Sequence, residues 1–167
     1  AWPGFGWARP AGRTPSPRDR GVAPGTQLAA VPVVPSLVHE APLVTVSGPC
    51  GVGKTTLALA VAGRLQDEHA DGAVFVDLSP VAPAGDITRA VADAAGVEGG
   101  ASESIERVAD HLATRPVLVV LDNCEHVLDQ AAFVAERLVD STDQVIVLAT
   151  SRERLAVDGE RLVTVPP

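Results

Sequence analysis

One short segment carries the residue types that bind phosphate. Residues 48–55 read Gly-Pro-Cys-Gly-Val-Gly-Lys-Thr and fit the pattern G-x-x-x-x-G-K-[ST]. Glycines let the main chain approach a ligand closely, and successive backbone N–H groups then form a nest for an anion. A helix that begins near Lys54 adds unpaired N–H groups and the positive end of its dipole. The predicted phosphate cradle consists of Gly48, Pro49, Cys50, Gly51, Val52, Gly53, Lys54, Thr55 and Thr56.

Two side chains of this cradle have separate predicted roles. Lys54 supplies a compact positive charge for the β- and γ-phosphates of a nucleoside triphosphate, and the Thr55 hydroxyl is a ligand for Mg²⁺. The 13 basic residues of the chain comprise this single lysine and twelve arginines. Because Lys and Arg are not interchangeable at such a site, the lone lysine favours a working cradle over a glycine-rich turn without a ligand.

A magnesium site beside the cradle also needs a carboxylate. Sites of this kind use an Asp at the end of a neighbouring buried strand, and Asp122 follows the apolar residues 118–121. Taken alone, an Asp after a strand is more often a turn residue. Because a phosphate cradle lies upstream, the interpretation of Asp122 as a metal-binding residue is favoured over that of a turn residue. Thr55 and Asp122 are therefore the predicted metal-binding pair.

Three further residues affect the expected rate of nucleoside triphosphate hydrolysis. Hydrolysing sites often place a glutamate directly after the strand-ending Asp, but Asn123 stands there and cannot accept a proton at neutral pH. Slow hydrolysis is therefore expected, with Glu125 as the candidate that reaches the site. Arg152 follows another buried strand and is a candidate for contact with the γ-phosphate; the alternative is a solvated loop charge. Lys54, Asp122, Arg152 and Glu125 are the candidate catalytic residues.

The apolar pattern predicts an α/β fold. Strands and helices that alternate along the chain require crossover connections, and hence a parallel sheet covered on both faces. The predicted architecture is a three-layer αβα core with a sheet of about five strands. The predicted strands cover residues 43–47, 73–79, 116–122, 144–151 and 161–165, and the predicted helices 54–66, 86–95, 102–114 and 126–140.

The length and composition favour one domain with an N-terminal arm. The 167 residues are 46% hydrophobic and 20% charged, as in ordinary globular proteins. Residues 1–40 are rich in Pro, Gly and Arg and show no helical or strand period, which predicts a disordered arm before a nucleotide-binding domain at 41–167. No methionine is present, even at position 1, which predicts a piece of a longer protein.

The net charge, the apolar runs and the two cysteines argue against several classes of protein. The net charge of −8 argues against direct nucleic-acid binding by this module. No apolar run is long enough for a bilayer and no signal peptide is recognisable, so no membrane association and a cytoplasmic location are expected. Cys50 and Cys124 give neither a disulfide framework nor a metal-ligand spacing. Both are expected to fill small spaces in the core, with a redox switch as the weaker alternative.

Four blocks in order resemble one protein class. "LVTVSGPCGVGKTTLALAVA", "VFVDLSPV", "PVLVVLDNCEHVLD" and "VIVLATSRERLAVDGERLVTVPP" resemble the STAND-class, NB-ARC-like ATPase modules of bacterial transcriptional regulators of the LuxR and SARP types. The resemblance implies a switch in which ADP holds a closed state and ATP permits opening. It implies that residues 48–55 bind phosphates, Thr55 and Asp122 organise Mg²⁺, and Arg152 senses the γ-phosphate. It also implies that the Arg152 strand lies between the cradle strand and the Asp122 strand.

The sequence departs from that class at both ends of the resemblance. Relatives carry a glycine–arginine–glutamate block upstream of the cradle, where this chain has "VPVVPSLVHEAP". The helical lid and the DNA-binding helix-turn-helix are not among these 167 residues, and we expect them in other segments of a parent protein. The resemblance itself implies adenine nucleotides, ATP or ADP with Mg²⁺, and the lid and DNA-binding segments of a parent protein as the expected partners.

Two alternative functions remain open at this point. One is a P-loop kinase for a small molecule, which needs an acceptor pocket and an arginine-rich lid. Release of phosphate without a co-substrate counts against that alternative. The other is a folded fragment that binds no nucleotide usefully, because segments that close over the site are missing.

Overall fold

Parallel strands alternate with helices along the chain. The computed structural model describes residues 33–65, 72–97, 104–114 and 116–167. The strands are β1 (Leu43–Ser47), β2 (Ala73–Asp77), β3 (Val117–Asp122), β4 (Val145–Ser151) and β5 (Arg161–Thr164). The helices are α1 (Val33–Glu40), α2 (Lys54–Leu65), α3 (Ile87–Ala95), α4 (Ile105–Leu112) and α5 (Leu128–Ser141), and a 3₁₀ turn covers Cys124–His126. Among these helices, none combines the length and the apolar character that crossing a membrane demands.

The five strands form one parallel sheet in the order β2-β3-β4-β1-β5. Strand β4 pairs with β1 on one side and with β3 on the other. This arrangement confirms the prediction that the strand before Arg152 lies between the cradle strand and the Asp122 strand. All the strands run in the same direction, so the loops after β1, β3 and β4 meet at one edge of the sheet.

Each face of the sheet has its own hydrophobic core. On one face, α1 and α2 bury Val38, Leu57 and Leu65 against β1, β3 and β4. On the other face, α3, α4 and α5 bury Val91, Val108 and other apolar side chains. All six residues of β3 are buried, as a strand covered on both faces requires. The three-layer α/β fold predicted from the sequence is confirmed.

Helix α1 corrects one boundary of the prediction. The prolines predict a disordered arm through residue 40, but the structure places a helix at residues 33–40. Pro35 lies in the first turn, where a helix has no use for the missing N–H. Val34 and Val38, one turn apart, are 0% and 1% exposed, so burial of this apolar stripe stabilises the helix. Residues 1–32 lie outside the described residues, and their assignment stays a prediction.

Replacing Val38 by alanine tests the docking of α1. The change removes two buried carbons and leaves a small cavity, so we expect a loss of about 1.5–2.5 kcal/mol of unfolding free energy, measured by urea denaturation. Ser36→Ala, at an exposed position of the same helix, is the control and should change stability by less than about 0.5 kcal/mol. Equal stability of the two variants would show that α1 is not packed on the domain.

Candidate functional site

The predicted phosphate cradle lies between the end of β1 and the start of α2. Gly51 and Gly53 have φ angles of 82° and 87°, which side chains with a Cβ rarely adopt. Lys54 is the first residue of α2 and is 7% exposed. Its Nζ donates to the carbonyl oxygens of Gly48 at 2.9 Å and Pro49 at 3.0 Å. The ammonium group therefore lies within the turn of the loop.

The first cradle residue is in close contact with the segment that follows β5. A Cβ added at Gly48 would lie 2.5 Å from the carbonyl oxygen of Val165, so only glycine fits there. The Val165 N–H donates to the carbonyl oxygen of Ser47 at 2.7 Å. The end of β5 and the beginning of the cradle are thus packed directly together.

The structure brings Thr55 and Asp122 together, although 67 positions separate them. The Thr55 hydroxyl lies 2.9 Å and 3.0 Å from the two carboxylate oxygens of Asp122 and donates to that group. Asp122 is 2% exposed. The predicted metal pair therefore consists of two adjacent side chains, one from the start of α2 and one from the end of β3.

Thr150 is a site residue that the sequence analysis missed. Its hydroxyl donates to Asp122 Oδ1 at 2.5 Å and accepts the backbone N–H of Asn123 at 3.0 Å. Thr150 is completely buried near the end of β4. The sequence did contain a signal for Thr150. Like Asp122, it is a polar residue near the carboxyl end of an apolar strand, and its strand β4 lies next to the cradle strand.

On the side of Asp122 that faces β2, Asn123, Ser79 and Asp77 form a hydrogen-bonded group that the sequence analysis did not predict. Asn123 adopts a left-handed conformation with φ 64°, and its amide Nδ2 lies 2.8 Å from Ser79 Oγ, 3.2 Å from Asp122 Oδ2 and 3.5 Å from Asp77 Oδ1. Asp77 Oδ1 accepts the backbone N–H of Ser79 at 2.9 Å and its hydroxyl at 2.6 Å. Asp77 ends β2 as Asp122 ends β3, and the two are paired in register.

The site has a negative electrostatic environment. Burial raises the pKa of Asp122, and the negative charges of Asp77 and Glu125 raise it further, whereas hydrogen bonds from Thr150 and Thr55 act in the opposite direction. Burial is also the main cause that raises the pKa of the Cys124 thiol to about 12, with contributions from Asp122 and Glu125. Such an environment favours binding of a cation.

Glu125 and Arg152 are neighbours in the structure. Glu125 lies in the 3₁₀ turn after β3, and its Oε1 is 4.0 Å from Arg152 Nε. Its Oε2 is buried and has no hydrogen-bond partner among the described residues. The Arg152 side chain is 62% exposed. Of the two cysteines expected in the core, Cys124 is buried as expected, but Cys50 is exposed because it lies at the tip of the cradle loop.

Glu160 holds the loop between Arg152 and β5. The Glu160 side chain is 1% exposed, and its two oxygens accept the backbone N–H groups of Leu155 at 2.8 Å and Ala156 at 2.9 Å. Arg154 Nε lies 3.5 Å from Glu160 Oε2. These contacts give the loop a defined shape, and no sequence pattern indicated them.

The side chains present fit Mg²⁺ and phosphate. Mg²⁺ prefers hard oxygen ligands, and Thr55 and Asp122 offer a hydroxyl and a carboxylate oxygen at one point. The Thr55 oxygen donates its proton to Asp122 and keeps lone pairs for a metal ion. The glycines of the cradle leave room for close approach of a phosphate to the backbone.

The raised pKa of Asp122 predicts a pH-dependent effect of Asp122→Asn on stability. Because the folded-state pKa lies above the ordinary value of 3.8, the ionised carboxylate weakens the metal-free fold, and this penalty grows as the pH rises through the folded-state pKa. The neutral Asn avoids it. In EDTA, we expect the stability of Asp122→Asn relative to the wild type to be highest at pH 8 and to decline as the pH falls toward 4.

Urea unfolding across that pH range measures the difference. Asp110→Asn removes a charge at an exposed position of α4 and serves as the control. A stability of Asp122→Asn relative to the wild type that stays constant or rises as the pH falls would contradict the electrostatic interpretation.

Solved structures similar to this chain have the same fold. Cdc6p from Pyrobaculum aerophilum aligns with a TM-score of 0.61 at 13% identity, over 90% of this chain and 48% of that protein. A STAND (Signal Transduction ATPase with Numerous Domains) protein with a tetratricopeptide repeat sensor, from Pyrococcus horikoshii, aligns with a TM-score of 0.58 at 16% identity, over 88% of this chain and 23% of that protein. At these identities the similarity establishes the fold.

Sequence comparison identifies closer relatives and the family. A Mycobacterium tuberculosis protein with the name of an HTH-type transcriptional regulator is 37% identical over 132 residues, which are 78% of this chain and 15% of that protein. A Mycobacterium bovis protein with the same type of name matches equally. The chain thus spans about 15% of the length of these relatives. The family model for the AAA domain matches residues 38–156, and the chain therefore belongs to the AAA domain family of P-loop ATPases.

Proposed function

We propose that this chain is the ATP- and ADP-binding switch module of a larger, signal-transducing transcriptional regulator of the STAND, NB-ARC-like class. The observation that carries this proposal is the direct hydrogen bond between Thr55 and Asp122 at 2.9 Å. It joins the end of the phosphate cradle to the carboxylate of β3, and a Mg²⁺–nucleotide needs both groups at one point.

Lys54 is the proposed contact for the β- and γ-phosphates. Its Nζ is bonded to two backbone carbonyl oxygens of the cradle, at Gly48 and Pro49. Phosphate oxygens carry a full negative charge and bind an ammonium group more strongly than neutral carbonyl oxygens do. We expect the lysine to exchange these carbonyl contacts for phosphate oxygens, while the backbone N–H groups of the loop bind the remaining phosphate oxygens.

Thr55 and Asp122 are the proposed magnesium-organising residues. When bound, Mg²⁺ neutralises charge on the phosphates. The roles of the protein groups follow from their contacts: Asp122 fixes the Thr55 hydroxyl, and the Thr55 oxygen would be a ligand of the metal ion. Thr150 in turn fixes Asp122.

Arg152 is the proposed sensor of the γ-phosphate. Its side chain is 62% exposed, and within the part of the chain that the structure describes its one ion pair is with Glu125, at the long distance of 4.0 Å. An exposed ion pair of this kind contributes little free energy, so Arg152 is released easily when a phosphate is present. In this proposal Glu125 acts in turnover through Arg152, and hydrolysis is slow because Asn123 has no carboxylate.

The assignment to a regulator is supported by the relatives and by charge. The mycobacterial relatives carry the name of HTH-type transcriptional regulators and are much longer than this chain. We infer that lid and DNA-binding segments belong to a parent protein that works in the cytoplasm. The net charge of −8 is consistent with a module that binds nucleotide and leaves DNA contact to other segments.

Thermal melting with and without nucleotide tests this function. Mg²⁺–ADP or Mg²⁺–ATP at about 100 times its Kd should add about 2.7 kcal/mol to the unfolding free energy and raise the Tm by about 5–10 °C. We expect Lys54→Ala to abolish this rise. Arg64→Ala, which removes one positive charge from an exposed position of the same helix, should retain it.

Two results would reject the proposed function. One is a cooperative melt of the wild type that millimolar nucleotide does not shift. The other is a shift of equal size in Lys54→Ala, because binding would then occur away from the cradle.

A further inference from the structure

The site lacks a glutamate directly after Asp122, yet a second carboxylate lies close by. Asp77 ends β2, the neighbour of β3, and pairs in register with Asp122. We propose that Asp77 is the carboxylate that activates the water attacking the γ-phosphate. This inference rests on the proposed nucleotide-binding function and assigns a catalytic residue to it.

The position of Asp77 suits this role. Paired residues on adjacent strands are about 5 Å apart, so Asp77 and Asp122 stand side by side at the carboxyl edge of the sheet. This is the edge where the cradle loop follows β1 and where ligands bind in open α/β sheets. Asp77 is partly exposed, whereas Asp122 is buried. A water molecule can therefore reach Asp77.

The hydrogen bonds of Asp77 orient its carboxylate. Oδ1 accepts the N–H and the hydroxyl of Ser79 and lies 3.5 Å from the Asn123 amide nitrogen. Within the described residues, Oδ2 accepts no hydrogen bond. One oxygen is thus held in place by three donors while the other remains available to a water proton, as a positioned base requires.

The other polar side chains at this edge of the sheet already make hydrogen bonds or ion pairs with other residues. Asp122 accepts hydrogen bonds from Thr55 and Thr150 on the side of the proposed metal site. Asn123 is an amide and acts as a donor toward Ser79. Glu125 turns one oxygen toward Arg152, and the other is buried away from solvent. Asp77 and Glu125 are both partly exposed, but among the described carboxylates of this edge Asp77 Oδ2 is the partly exposed group without an ion pair, whereas Glu125 Oε1 faces Arg152.

The proposed step is a balanced hydrolysis. The water oxygen forms a bond to the γ-phosphorus while the bond from that phosphorus to the β–γ bridging oxygen breaks. The bridging electron pair leaves with ADP, and Asp77 Oδ2 takes the water proton and later returns it to phosphate or solvent. The neighbouring Asn123 amide assists by holding Oδ1. This gives Asn123 a positioning role in a site without the usual glutamate.

Single-turnover hydrolysis with protein in excess over Mg²⁺–ATP tests the assignment. The variants are Asp77→Asn, which keeps the size and an acceptor oxygen, Asp77→Glu, which restores a carboxylate, and Glu125→Gln, the competing assignment. Asp110→Asn, an exposed charge on α4, is the matched control. ATP affinity and Tm are measured on the same samples.

We expect Asp77→Asn to lower the hydrolysis rate by about 100-fold with its ATP affinity within about 3-fold of wild type. Asp77→Glu should recover at least about a tenth of the wild-type rate, and Asp110→Asn should match it. A fall of less than about 10-fold in Asp77→Asn would overturn the assignment. So would a larger loss in Glu125→Gln, or wild-type protein that binds ATP and hydrolyses none. Wild-type protein that fails to bind ATP would instead reject the proposed function.

Discussion

The buried carboxylate of Asp122 is the constraint on which this site depends. An ionised group at 2% exposure is tolerated only when hydrogen bonds replace the water it has lost. Thr55 and Thr150 supply them from the start of α2 and the end of β4. Because each donor comes from a different part of the chain, satisfying one carboxylate fixes the cradle helix, β3 and β4 relative to one another.

The same edge of the sheet is connected to the last described strand. Gly48 packs against the Val165 carbonyl oxygen, and the Ser47 carbonyl accepts the Val165 N–H. The loop that carries Arg152 is held by the buried Glu160 carboxylate just before β5. A shift of β5 would therefore act on both the cradle and the Arg152 loop. This coupling is local, through packing and hydrogen bonds, and it places the proposed phosphate sensor and the proposed phosphate cradle on one connected unit.

The sequence predicted the fold well because its signals were strong and mutually consistent. Apolar strands such as residues 117–121, alternating with amphipathic helices, indicate a parallel sheet. The position of β4, which the family resemblance implied, was confirmed. The predicted end of the disordered arm at residue 40 was wrong. The prolines indicated disorder, whereas the apolar spacing of Val34 and Val38 is that of the helix observed there. Thr55 and Asp122 were recognisable because their motifs have fixed spacing.

The residues that were missed have no such motif. Thr150 and Asp77 owe their position to the register between strands, which emerges only when the sheet forms. The strand-end signal was present for both, since each is a polar residue near the carboxyl end of a strand in the region of the cradle. Glu160 gives no sequence signal, because its role comes from backbone N–H groups that any residue could supply.

The most direct test of the central claim is the dependence of ADP affinity on Mg²⁺ in the wild type, Thr55→Ser and Thr55→Val. If Thr55 and Asp122 organise the metal beside the cradle, removing Mg²⁺ with EDTA weakens ADP binding by at least about 10-fold in the wild type and in Thr55→Ser. Thr55→Val, which has the shape of threonine without its hydroxyl, then binds ADP with the same weakened affinity under both conditions. Equal ADP affinity of the wild type with and without Mg²⁺ would contradict the claim.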